Sequence, residues 1–267
     1  MSNPRAKPPD ATKHFTSSIL LWVRTDQPRK TGMDHWKGPH SGIISASPGL
    51  EEYRQIHLAD DNPGRWPGID GIETSIPVDR KIDGVAEVTF ESPLAPFAGR
   101  SQTKLAYRDE INVFRRTLLY AGLPQTSRWY QVGTPEATVG VRSLIYLRRK
   151  KATSGRTFRG VIQREVVPKL IGTAGLSELR TQAFLPWIKK MWDTPNVAHD
   201  NPDDQRFHAS LILGFADDSA RAQFFGSTGI DAFSRALAAV CSAIHAYDVE
   251  TTVTYVSDGV IVRNGGG

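Results

Sequence analysis

With 267 residues, 39% hydrophobic and 23% charged, the chain is long enough for one large domain or two of about 100–150 residues each. Lys and Arg outnumber Asp and Glu by 33 to 28, but the basic residues are scattered. The densest runs, Arg115-Arg116 and Arg148-Arg149-Lys150-Lys151, are too short for a nucleic-acid stripe, so no nucleic-acid partner is expected. The single cysteine, Cys241, excludes a disulfide framework and a Cys-based metal site, and no apolar run approaches the roughly 18 residues that span a bilayer.

Residues 1–16 are polar, carry Pro4, Pro8 and Pro9, and lack the apolar core of a secretory signal; a disordered start and a cytoplasmic location are expected. Residues 18–24 (SILLWVR) read as a strand, and 25–32 as a loop. Residues 33–45 place Met33, Trp36, His40, Ile43 and Ile44 at helical spacing, and 50–58 alternate as a second strand after a turn at Pro48-Gly49. A loop rich in Gly, Pro and Asp fills 59–79, long enough to be a lid or arm. A half-buried strand at 82–92, a helix over about 103–112 and a strand at 116–121 complete the order β-α-β-β-α-β.

The order then repeats. A strand at 141–149, a helix over 158–170, a turn at Ala174-Gly175-Leu176 and a strand at 207–217 match the first half, and a helix over 231–247 with a strand at 249–256 ends it. Gly49/Gly175 and Phe90/Phe215 stand 126 and 125 apart, the steady register of an internal duplication. The expected fold is α+β: two ferredoxin-like repeats, 17–133 and 134–258, packed sheet to sheet as a pseudo-dimeric α+β barrel, with 259–267 as a tail. Each sheet has one face under helices, so the open faces are expected to meet and enclose a cavity, the default ligand site.

His40 is the first candidate for chemistry. The matching stripe of the second half, with Phe158, Val161, Ile162, Val166 and Leu170, stays apolar, so packing alone does not call for a histidine there. An imidazole in a partly dry pocket titrates near neutral pH and can take or return a proton. Tyr53, Gln55 and His57 share one face of their strand, and alternation fixes that they face together but not which way. If that face looks into the barrel, Tyr53 and His57 orient a substrate oxygen. Leu20, Trp22 and Arg24 share a face that offers an aromatic wall and an anion contact. Glu87 stands opposite Ala86, Val88 and Phe90 and is expected to point into the cavity, paired with Arg24 or a histidine; its counterpart is Ile212. His208 and Ser210 are expected to reach in from the other half, and His245 to pack in the last helix near Cys241. Neither GxGxxG, a Walker loop, GxSxG nor HExxH occurs, and no tight ligand spacing marks a metal site.

The helix HWKGPHSG, the turn PGL, the strands YRQIH and DGVAEVTFES and the segment DEINVF resemble the EthD-like proteins of the dimeric α+β barrel superfamily, over residues 35–114 and more faintly over 142–256. Two copies of that family usually dimerise to make the barrel, so the resemblance implies a fused pseudo-dimer, monomeric or paired again as a homodimer. The family has a proline two residues after the histidine; here that position is Gly42, whereas the second half keeps Pro168 but has Val166 in the histidine's place. Asp109-Glu110, with Asn112, stands where the family has an Asp-Glu pair, and helix capping is its plain reading. The resemblance implies that His40 lies at the pocket and does acid/base work, with Trp36 shaping the wall. The expected function is cofactor-independent proton-transfer chemistry on a small aromatic, polyketide-like or carbonyl compound: a cyclase, isomerase, dehydratase or decarboxylase. Cofactor-free oxygenation of phenols and a non-catalytic ligand-binding role are the rivals, and a histidine-bound haem, used by some barrels of the superfamily, is the one cofactor kept in view.

Overall fold

A computed structural model describes residues 11–133, 138–226 and 229–262. The first half contains β1 (Ala11–Lys13), β2 (Phe15–Val23), α1 (Arg29–His35), α2 (Ser41–Ser45), β3 (Leu50–Leu58), β4 (Gly84–Phe90), α3 (Ala95–Ala98), α4 (Arg100–Val113), β5 (Phe114–Gly122) and β6 (Ser127–Tyr130). The second contains β7 (Val141–Arg149), α5 (Gly155–Val161), α6 (Val167–Ile171), β8 (Leu176–Ala183), β9 (Ala209–Phe215), α7 (Asp218–Gly226), α8 (Gly229–Val240), β10 (Cys241–Ser257) and β11 (Val260–Ile261). Residues 11–16, expected to lie outside the fold, instead form β1 and start β2, because β1 finds an antiparallel partner in β6. Residues 1–10 and 263–267 lie outside the described residues.

The halves are two ferredoxin-like units, as the duplication predicts, and their sheets join. β3-β4-β2-β5 and β8-β9-β7-β10 are the two four-stranded orders. The fourth strand of each then crosses to the second strand of the other. β10 pairs with β7 through Cys241–Val249 and with β3 through Val249–Val256. β5 pairs with β2, and after a four-residue break its continuation β6 pairs with β8. The result is a barrel with the helices outside.

Residues 241–247, read as helix from their alanines, are the first half of β10. Alternation overrides propensity there: Ile244 and Ala246 pack under the helices while Tyr247 joins the inter-sheet core. Cys241 and His245 are therefore strand residues.

The long loops exchange sides. From the first half, Glu73 bonds Ser242 and Ile244 through its backbone (3.0 and 2.9 Å), and Trp66 enters the second half's core with its indole donating to Ser234 Oγ (3.1 Å). From the second half, Ala198 bonds Arg115 and Thr117 in the same way (3.0 and 3.1 Å), and the Trp192 indole donates to Glu110 on α4 (3.0 Å). Trp66 and Trp192 are 126 residues apart, so the arms obey the same pseudo-twofold relation as the strands.

Where the sheets face each other, the described residues fill the space. One end is apolar, with Leu20, Trp22, Ile56, Tyr146 and Tyr247 among its members. The other end holds a charged cluster in which Arg54 reaches Glu178 (2.9 Å) and Arg180 reaches Glu52 (2.6 Å), two reciprocal pairs related by the 126-residue offset. Glu87 adds a carboxylate between both arginines (2.7 and 2.9 Å), and Arg142 adds a cation on Glu178. Among the described residues, these two groups stand where the sheet-lined cavity was expected. Beside the cluster a crevice of about 10 Å³, room for one water, remains between Glu87, Trp129, Arg180, Gln182 and Ser210.

Candidate functional site

The histidines of the first half's leading helix and strand gather between its helices and its sheet, apart from the charged cluster between the sheets. α1 and α2 are joined by a π-helical turn over Trp36–His40, with Pro39 inside it. A π-turn bonds residue i to i+5, and that spacing carries His40 beneath His35; on a regular α-helix the two would diverge. Both rings meet Asp109 of α4. His40 Nδ1 lies 2.8 Å from Oδ2 and His35 Nε2 lies 2.9 Å from Oδ1. Exposure falls along this row, from 35% for the His35 side chain through 17% for Asp109 to 4% for His40.

Asp109 is held below the usual carboxylate range, chiefly by the hydrogen bond from His40, with His35 adding to it. An ionised Asp109 accepts, so in the neutral ring Nδ1 of His40 carries the hydrogen and Nε2 the lone pair. The edge of the His40 ring meets Phe114 at 5.7 Å. This is a buried imidazole fixed in the tautomer of a general base by a carboxylate behind it. Asp109 is thus neither a cap nor a solvent charge. His35 went unnoticed in the sequence because residues five apart do not share an α-helical face, and only the π-turn reunites them.

Alternation left the direction open, and Tyr53, Gln55 and His57 face the helices, while Arg54, Ile56 and Leu58 take the face that looks into the barrel. The three form a closed chain. Gln55 Nε2 donates to the Trp36 carbonyl (2.7 Å) and the Tyr53 hydroxyl (2.8 Å), and His57 Nε2 meets Gln55 Oε1 (3.0 Å). Trp36 stacks on His57 at 4.5 Å, and the crossing strand β10 lays Tyr255 on Tyr53 at 5.3 Å. Burial, aided by Lys37 and Arg29, pushes His57 down to about 4, so it is neutral at pH 7. Burial also raises the Tyr53 hydroxyl above its ordinary range, which keeps it neutral.

The remaining predicted residues scatter. Glu87 and Ser210 do line one crevice from opposite halves, but Glu87 is tied to Arg54 and Arg180, not to Arg24 or a histidine. Trp22 sits in the inter-sheet core with the Arg116 guanidinium over its ring at 5.2 Å. Arg24, just past the end of β2, turns to solvent and pairs with Asp26. His208 precedes β9, accepts from the Arg149 backbone (3.2 Å) and touches Phe158 of α5, so it does not reach the crevice with Ser210.

Next to Asp109, Glu110 is fully buried. Burial pushes its carboxyl up to about 7 against donation from Thr194 and Trp192 of the exchanged arm. Among the described residues no three His, Cys, Asp or Glu side chains converge as a metal site.

No family model matches the chain, and no curated protein matches it. Solved structures of the same fold do. A candidate monooxygenase from Lactobacillus acidophilus NCFM is 11% identical over 94% of this chain and 99% of its own, with a TM-score of 0.52. A second candidate monooxygenase, from Fusobacterium nucleatum, is 6% identical over 95% and 99%, with a TM-score of 0.57. An anthrone oxidase-like protein is 9% identical over 91% and 93%, with a TM-score of 0.56. At these identities the likeness establishes the dimeric α+β barrel fold, here in a single chain; it does not identify the EthD family.

Proposed function

We propose that the chain is a monooxygenase of small phenolic compounds that works without an organic cofactor, with His40 as its general base. The observation that carries this reading is the buried His40–Asp109 pair at 2.8 Å in one half, against Val166 at the matching place in the other. Neighbours of the same fold named as monooxygenases and as anthrone oxidase-like support oxygenation over the cyclase, isomerase, dehydratase or decarboxylase chemistry.

Nε2 of His40 takes a proton from a carbon made acidic by an adjoining phenol ring, and Asp109 steadies the imidazolium that results. The carbanion gives its electrons to dioxygen and a C–O bond forms. Return of the proton from His40 to the outer oxygen, with loss of the second C–H proton, breaks the O–O bond: CH2 plus O2 becomes C=O plus water. Tyr53, Gln55 and His57, all neutral and tied to one another, fix Trp36 as one wall of the site. The exposed Lys37, Gly38 and Pro39 of the π-turn lie on the solvent side, where a substrate approaches.

Oxygen uptake with anthrone-type phenols tests the reading. His40→Ala is expected to lower turnover by about 10²-fold or more while substrate affinity changes little. Turnover retained in His40→Ala, or phenol binding without oxygen uptake in the wild type, removes the enzymatic assignment and leaves a ligand-binding barrel.

A further inference from the structure

A second buried histidine also meets a carboxylate. His245, 1% exposed on β10, has Nε2 2.7 Å from Glu73 Oε1, and Glu73 also accepts from Arg148 Nη1 on β7 (3.1 Å). Glu73 belongs to the arm of the first half, so this site is assembled from both repeats. Its carboxyl, against the effect of its burial, is held below the usual range by Arg148 and His245. An ionised Glu73 accepts from Nε2–H, which leaves Nδ1 of His245 as a bare acceptor.

That Nδ1 has no hydrogen-bond partner although it is buried, and the same is true of Arg148 Nε, a donor. Buried polar atoms are nearly always paired, so an unpartnered acceptor and an unpartnered donor on neighbouring strands call for a molecule that answers both. A group with one acidic O–H and an oxygen acceptor does so. Phe207 supplies the apolar contact: its ring is 5.5 Å from His245 and 4.8 Å from Tyr146, and the Arg148 guanidinium lies 5.7 Å from its centre. Phe207 and Glu73 are both partly exposed and mark the solvent side of this edge. Burial, with the positive charges of Arg148 and Arg80 and against that of Glu73, lowers His245 to about 4, which keeps it neutral and accepting at pH 7.

We propose that the edge beside Phe207 is a second binding site, for a small aromatic molecule carrying a hydroxyl group, with His245 Nδ1 and Arg148 Nε as its polar contacts. The proposal is independent of His40 chemistry.

The test uses 4-nitrophenol and the full chain labelled at the histidine ring nitrogens. Titration is expected to move the His245 Nδ1 resonance saturably, and affinity is expected to fall at least about tenfold in His245→Phe and in Arg148→Met while His40→Ala is unaffected. Circular dichroism confirms that each variant is folded, and if His245→Phe is not, the wild-type resonance and Arg148→Met decide. A His245 signal that stays still through the titration overturns the proposal. So does binding that is lost in His40→Ala and kept in Arg148→Met; that outcome would assign the phenol to the first half alone.

Discussion

The two halves share a backbone to the level of an unusual turn and differ in what that turn carries. Both leading helices contain a π-helical turn, Trp36–His40 and Ile162–Val166, offset by 126 residues. Only the first has a proline inside it, so proline is not its cause. On this common frame Trp36, His40, Tyr53, Gln55 and His57 of one half stand where the other has Ile162, Val166, Leu179, Thr181 and Ala183. The second set packs as an ordinary core, which shows that the frame does not need the polar set. Packing specifies the backbone, and the chemistry is an addition at positions that tolerate either.

Breaking the comparison at its centre has the largest effect. His40→Ala and Val166→Ala remove side chains at equivalent places, but only the first is expected to cost turnover. Val166→Ala is expected to leave turnover unchanged and to lower unfolding free energy by about 1–3 kcal/mol, read from denaturant melts. Equal losses of turnover would end the division of labour. Next in size is Glu87→Ile, which gives the first half the residue of its counterpart, Ile212. The change leaves Arg54 and Arg180 short of a buried partner, with an expected cost of about 3–5 kcal/mol. A neutral result would mean that the reciprocal pairs Arg54–Glu178 and Arg180–Glu52 suffice.

A steric exchange is smaller. A Cβ on Gly84 would lie 2.3 Å from the Trp36 ring, whereas the second half has Ala209 there against the smaller Ile162. Gly84→Ala is expected to cost about 1–3 kcal/mol. Adding Trp36→Ile should recover part of that loss, and a double-mutant cycle that is strictly additive would refute the coupling. The smallest effect is a slope. Glu110 titrates near 7 when folded and in the ordinary carboxyl range when unfolded. The unfolded chain therefore releases this proton first as pH rises, and the stability that the protonated form contributes is lost between about pH 4.5 and 7. Glu110→Gln should flatten that fall, raising Tm above pH 7 and leaving it nearly unchanged near pH 4. A parallel offset at all pH values would show that Glu110 is not the titrating group.

Much of this frame was legible in the residues. The offset of 125–126 declared the duplication, the alternation of 82–92 aimed Glu87 inward, and the missing histidine at Val166 singled out His40. What failed did so for physical reasons. Period-two alternation says that Tyr53, Gln55 and His57 agree in direction without saying which sheet face is covered by helices. The Ala-rich stretch around Cys241 has helix propensity, but cross-strand pairing with both β7 and β3 outweighed it. His35 joins the site through a π-turn, which leaves no periodic signature, and Asp109 meets both histidines from α4. The cross-sheet pairs Arg54–Glu178 and Arg180–Glu87 join partners more than 90 residues apart in sequence.

Exchange of the arms and crossing of the fourth strands bind the halves into one folding unit, yet their fusion has a further consequence. In a symmetric dimer of identical chains every substitution appears twice, so a residue that helps one pocket must be endured by the other. A single chain with two copies is released from that duplication. One copy can keep an apolar interior beneath its leading helix and supply rigidity, a crossing strand and an arm, while the other places imidazoles and carboxylates there whose desolvation cost falls on the molecule only once.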